Sequence, residues 1–143
     1  MPAANSNDEI AMRLITRESD YGITALVSLA KRKGGTTSTA ELAKELQIPR
    51  SFLRRILQRL VRCGAIRSRK GIGGGFELAR KPQHISVGDV VIALQGAIRF
   101  SDCGIRKTIC PRRKQCILRR KLRAAEGHLI SELMGLSIES LAK

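Results

Sequence analysis

From residue 12 onward, apolar positions recur at intervals of three and four, which predicts a succession of short amphipathic helices. Tyr21, Ile23, Ala25, Leu26, Leu29 and Ala30 make the first stripe. Thr16 or Ser19 supplies its cap, and Lys31, Arg32 and Lys33 load its last turn before Gly34 and Gly35. A second helix starts near Thr37 or Ser38, where Ser38 and Glu41 have capping-box spacing, and buries Leu42, Ala43 and Leu46. After Gln47 and Ile48, Pro49 enters at the first turn of a third helix over 50–62. That helix has two chemically distinct sides. Phe52, Leu53, Ile56, Leu57 and Leu60 occupy one; Arg50, Ser51, Arg54, Arg55, Gln58, Arg59 and Arg62 occupy the other. Gly64 closes it.

The period then changes. Residues 65–68 and 75–79 predict two short strands, joined through Arg69, Lys70, Gly71, Ile72, Gly73 and Gly74 as a hairpin. Pro82 breaks the chain, and Ser86 or Asp89 opens a short apolar helix through Val87, Val90, Val91 and Leu94. Periodicity is weak over 95–115. A long helix follows over about 116–134 with Ile117, Leu118, Leu122, Ala125, Leu129, Ile130 and Leu133, and Ser137 caps a last turn with Ile138 and Leu141. Two short helices across a tight turn, the second strongly basic, followed by a glycine-rich hairpin, predict a winged helix-turn-helix. The expected fold class is mostly α with a small β-hairpin: a winged helix-turn-helix plus a long C-terminal dimerisation helix. The expected organisation is a flexible N-terminal tail (1–11), a winged helix-turn-helix DNA-binding domain (12–94), a cysteine cluster-binding loop (95–116), and a dimerisation helix with a C-terminal turn (117–143).

Composition narrows this picture. Of the 143 residues 43% are hydrophobic but only 3% aromatic, so the core must be aliphatic. No apolar run approaches the roughly 20 residues that span a bilayer, and the first residues lack a signal-peptide core. The expectation is a cytoplasmic protein with no membrane partner. Lys and Arg number 27 against 12 Asp and Glu, a net charge of +15, which points to a polyanion. This charge collects on the third helix and in the hairpin, so double-stranded DNA is the expected partner. The expected contacts are Arg50, Ser51, Arg54, Arg55 and Arg59 on the helix, and Arg69, Lys70, Gly73 and Gly74 on the wing. The glycines would let the backbone approach phosphates or the minor groove closely; a tight turn is the plainer use.

There are four cysteines. Cys63 stands alone at the end of the third helix, where a small packing residue is expected. Cys103, Cys110 and Cys116 cluster in SDCGIRKTICPRRKQC, spaced C-x6-C-x5-C. In a reducing compartment such a cluster means metal or redox chemistry rather than a disulfide framework. Arg106, Lys107, Arg112, Arg113 and Lys114 favour the thiolate form that binds iron, and Pro111 after Cys110 matches the Cys-Pro found at cluster ligands. An iron–sulfur cluster, a zinc ion with one further ligand, and metal-free thiols that switch by oxidation all remain open; zinc is disfavoured by the lack of C-x2-C pairs. No nucleophile–base constellation or nucleotide loop is visible, so an enzyme is not expected. An iron–sulfur carrier would leave the recognition helix and wing without a use. His84 and His128 carry no assigned role.

Several segments together resemble the Rrf-two family of bacterial winged-helix transcriptional regulators, the IscR and NsrR group. They are MRLITRESDYGITAL, IPRSFLRRILQRLVRCGAI, RKGIGGGFELAR, ISVGDVVIAL and the three-cysteine loop, and the resemblance runs from Met12 to the end. It implies a homodimeric DNA-binding regulator that binds a palindromic operator. It also implies an iron–sulfur cluster, 2Fe–2S or 4Fe–4S, held by three Cys and one other ligand, which senses iron, redox state or nitric oxide. Where IscR-like chains have a ligand His, this chain has Arg119, and where they have an acidic reader on the recognition helix it has Arg54. The NsrR-like pattern places a carboxylate near the start of the first helix, donated across the dimer. By that resemblance Asp20 is the fourth ligand beside Cys103, Cys110 and Cys116, with Glu18 the second candidate. Some relatives lack the cysteines, so a cluster-free repressor answering to thiol oxidation, a small molecule or a protein is the alternative.

Overall fold

The computed structural model describes residues 12–101 and 113–143. The expected N-terminal tail and half of the cysteine loop, including Cys103, Arg106, Lys107, Cys110, Pro111 and Arg112, lie outside the described residues.

Helix α1 is Arg17–Lys31. Thr16 is its cap, its hydroxyl accepting the Ser19 N–H at 3.3 Å, while Ser19 itself is fully buried. Helix α2 is Thr39–Leu46, capped by Ser38. Both arms of the capping box form: the Ser38 N–H donates to Glu41 Oε2 at 2.8 Å, and the Glu41 N–H donates to Ser38 Oγ at 3.2 Å. Thr37 starts no helix. Its N–H donates to the Phe76 carbonyl at 2.9 Å and its carbonyl accepts the Phe76 N–H at 2.8 Å. Gln47, in a left-handed conformation, ends α2. Helix α3 is Arg50–Arg62, and Pro49 sits one place earlier than expected, as the N-cap. Strands β1 (Ile66–Arg69) and β2 (Gly75–Leu78) pair antiparallel, with Ile66 opposite Leu78 and Arg69 opposite Gly75.

After a short 3-10 turn at Pro82–His84, Ser86 caps α4, Val87–Gln95. A second 3-10 turn at Arg113–Gln115 leads into α5, Ile117–Gly135, and Ser137 caps α6, Ile138–Ala142. Helix α5 packs on α4, and α6 folds back onto α1. The return is fixed by backbone bonds: the Val87 N–H donates to the Leu136 carbonyl at 2.8 Å, and the Ile138 N–H donates to the Ile85 carbonyl at 2.9 Å. A Cβ on Gly88 would fall 2.8 Å from Met134 Sδ and 3.0 Å from the Met134 backbone nitrogen, so glycine leaves room for this close approach of α5.

The core is aliphatic, as the scarcity of aromatics requires. Leu26, Leu42, Leu53, Ile56, Leu57, Leu60, Ile66, Ile85, Val90, Val91, Leu94 and Ile138 are fully buried. Each contributes about 1.5–3 kcal/mol relative to exposure. Tyr21 and Phe52 meet edge to face at its margin, with ring centroids 5.8 Å apart, joining α1 to α3. Among the described residues, no helix is long and apolar enough to cross a membrane.

Candidate nucleic-acid interface and cysteine site

Helix α3 buries Leu53, Ile56, Leu57 and Leu60, and this fixes which face remains outside. Arg50, Ser51, Arg54, Arg55, Gln58 and Arg62 are all exposed. No side chain caps the helix at Pro49, so its first-turn N–H groups are left to an outside acceptor such as phosphate. The hairpin packs beside this face. Between them lies a cleft of about 540 Å³ lined by Arg54, Gln58, Val61, Arg62, Ser68, Lys70 and Phe76. Its cations and hydroxyl are the donors that a phosphate backbone or a base edge accepts.

The expected contacts divide on inspection. Arg50, Arg54, Arg55 and Lys70 are exposed and have no ion-pair partner among the described residues. Arg59 instead pairs with Glu18 at 2.8 Å. Arg69 pairs with Glu77 at 2.7 Å, and Glu77 also takes Arg67 at 2.6 Å. Those guanidinium groups, Arg67 before Arg69, hold the Glu77 carboxyl below the ordinary carboxylate range. The wing glycines have an internal reason to be there. Gly71 and Gly73 adopt left-handed conformations, a Cβ on Gly74 would fall 2.4 Å from the Arg69 carbonyl oxygen, and one on Gly75 would fall 2.4 Å from the Thr37 oxygen.

Gln58, Arg62 and Ser68 were not among the expected contacts. Gln58 and Arg62 lie four and eight residues from Arg54, so the helical repeat alone places all three on one face.

Cys63 does not pack in the core. It is exposed at the C-cap of α3, its Sγ 3.2 Å from the Leu60 carbonyl oxygen, because the helix stops there and Gly64 turns the chain in a left-handed conformation. Of the three loop cysteines only Cys116 is described. It is half-buried and is the N-cap of α5. Asp20 is exposed in the first turns of α1, and among the described residues no hydrogen bond or ion pair engages its carboxylate. The cap role falls to Thr16, and Glu18 is held by Arg59. Among the described residues no group of three metal-ligating side chains comes together. Three cysteines and one unengaged carboxylate are donor types that an iron–sulfur cluster accepts, although the described residues do not bring them together.

A helix-turn-helix followed by a basic wing on an aliphatic helical core defines a winged-helix DNA-binding protein. The chain belongs to the Rrf2 family, described as "Iron-dependent Transcriptional regulator", whose profile matches residues 15–143. It is 33% identical over 132 residues to the transcriptional repressor NsrR of Streptomyces coelicolor, covering 91% of this chain and 88% of that one. Its fold is similar to CymR, the global cysteine regulator of Bacillus subtilis, with a TM-score of 0.74 at 26% identity over 92% of this chain and 97% of that one. The oxidized form of Staphylococcus aureus CymR superposes with a TM-score of 0.69 at 29% identity, again over 92% and 97% of the two chains. These relatives are transcriptional regulators rather than enzymes.

Proposed function

We propose that this Rrf2-family regulator is a homodimer that binds a palindromic DNA operator. Its affinity is set by an iron–sulfur cluster on Cys103, Cys110 and Cys116 with Asp20 of the partner subunit. The observation that carries the DNA reading is the single cleft formed by α3 and the wing from Arg54, Gln58, Arg62, Ser68 and Lys70. Helix α5, which leaves Ile117 and Leu118 exposed, supplies the dimer contact. Two copies about a two-fold axis then present two recognition helices to successive major grooves.

The iron reading is supported by the family's description and by the carboxylate inventory of α1, where Glu18 is spent on Arg59 and Asp20 is not. A cluster on this donor set would supply a reversible report of iron, redox state or nitric oxide. The chain's own part is mechanical. Cys116 opens α5, and the Phe100 N–H, three residues ahead of Cys103, donates to Glu126 Oε1 of α5 at 2.6 Å. Both ends of the loop are therefore fastened to one helix.

The test is visible absorption with iron and sulfide counts on protein isolated without oxygen, beside a variant with all three loop cysteines changed to Ala. Charge-transfer bands and matched iron and sulfide in the wild type alone are expected. A colourless wild type that still binds duplex DNA would defeat the cluster reading and leave the DNA reading standing. The similarity to oxidized S. aureus CymR favours a second reading in that case, with the thiols themselves switching by oxidation. Peroxide would then change DNA binding of the wild type and not of the triple variant.

A further inference from the structure

Within residues 71–75 Ile72 is the only residue with a side chain beyond hydrogen; the other four are glycines. It stands at the wing tip with relative exposure of 110%, the largest among the exposed large hydrophobic residues described. The tip is held in place. The Gly74 N–H donates to the Gly71 carbonyl at 3.0 Å, and the Thr36 hydroxyl donates to the Gly73 carbonyl. Gly71 and Gly73 take left-handed conformations, and Gly74 is pressed against the turn backbone. The wing is thus a fixed arm bearing one aliphatic side chain, with exposed Lys70 two residues before it and, along β1, the exposed Arg69 and Arg67 that share Glu77.

A second copy of the chain is a poor match for this tip. The hairpin packs with α1 and α3, whereas the apolar ends of α5 belong to the helix that packs on α4. An apolar point beside a row of cations complements a DNA minor groove, where phosphates line the rims and an aliphatic chain can press on the floor. A G·C pair adds the guanine N2 amine to that floor, a donor that an aliphatic chain obstructs and cannot satisfy. A·T pairs lack it, and pyrimidine–purine steps such as TA open most readily around an inserted side chain.

We propose that Ile72 is a specificity-determining residue of the wing, an apolar wedge that enters the minor groove and selects A·T pairs there. This rests on the chain binding duplex DNA. Selection from a random-sequence duplex library by the full-length chain tests it, comparing wild type with Ile72→Ala and Ile72→Val and sequencing the recovered DNA. Wild type and Ile72→Val should recover two half-sites with A·T enrichment at the flanking wing positions. Ile72→Ala should recover the same half-sites with neutral flanks and bind the wild-type consensus about tenfold more weakly. Because the side chain is in solvent, all three should share one melting temperature. Retained flank enrichment in Ile72→Ala, with affinity within about twofold of wild type, would overturn the wedge while leaving DNA binding intact. A wild-type chain that recovers no sequence would overturn DNA reading and wedge together.

Discussion

The guanidinium of Arg59 on the recognition helix lies 2.8 Å from the carboxylate of Glu18 in the first turn of α1, an ion pair across 41 residues of sequence. It does two things. It braces the DNA-facing helix against the helix that carries Asp20, and it removes Glu18 from the pool of available carboxylates.

Glu18 and Asp20 should therefore separate by substitution. Glu18→Ala should cost about 0.5 kcal/mol, the scale of a half-exposed pair, and leave iron content unchanged. Asp20→Ala should leave stability unchanged and lower the iron bound per chain. Thermal melts and iron analysis on both variants decide it, and the reverse pattern would reassign the ligand to Glu18.

Glu77 holds Arg67 and Arg69 on the wing. Glu77→Gln releases both guanidinium groups toward DNA. Binding to duplex of arbitrary sequence should tighten, and the slope of log affinity against log salt should steepen by about 2. A salt titration by fluorescence anisotropy reads both; an unchanged slope would mean these arginines never reach phosphate.

Ser28 Oγ donates to Glu45 Oε1 at 2.6 Å and Arg32 pairs with the other oxygen, joining α1 to α2. The Ser28 hydrogen bond first, then Arg32, hold the Glu45 carboxyl below the ordinary carboxylate range. A carboxyl lowered in the folded state adds stability above its unfolded value, and that stability is lost as pH falls through the folded value. Urea midpoints should show wild type above Glu45→Gln near neutral pH, with the gap closing at pH below about 4. A gap that persisted in acid would trace the effect to packing.

Gly75→Ala would set a Cβ 2.4 Å from the Thr37 carbonyl oxygen, in backbone already tied to Phe76. Relief requires parting the wing from the residues ahead of α2, at a cost of roughly 2 kcal/mol or more. Gly35→Ala meets nothing within 4 Å and carries only left-handed strain, about 1 kcal/mol. Denaturant midpoints of the two variants should rank in that order.

Local chemistry made much of this molecule readable. The capping box of Ser38 and Glu41, the caps at Ser86 and Ser137, and the buried face of α3 all depend on residues within four positions of one another. What escaped depends on partners distant in sequence. That Arg59 and Arg69 have carboxylate partners within the chain was not legible, because periodicity reports a face and says nothing of Glu18 or Glu77. Gly75 read simply as the start of a strand, and its close approach to Thr37, 38 positions upstream, had no mark in the local pattern. Cys63 read as a packing residue because free cysteines are usually buried; the helix end at Gly64 was legible, but which way the cap residue faces was not. The carboxylate at Asp20 came into view through family resemblance, since no local pattern distinguishes a ligand from a helix-starting acid.

Helix α5 is joined to the rest of the chain by backbone bonds at its far end, where Met134 packs over Gly88 and the backbones of Leu136 and Ile138 are bonded to Val87 and Ile85. That makes it a lever with its fulcrum at the C-terminal end and Cys116 at the tip. Nineteen residues give an arm of about 28 Å, so a tilt of about 10° at the fulcrum corresponds to a sweep of about 5 Å at the tip. The gearing runs the other way as well: a wide excursion at Cys116 arrives at α4 as a small turn delivered with high leverage.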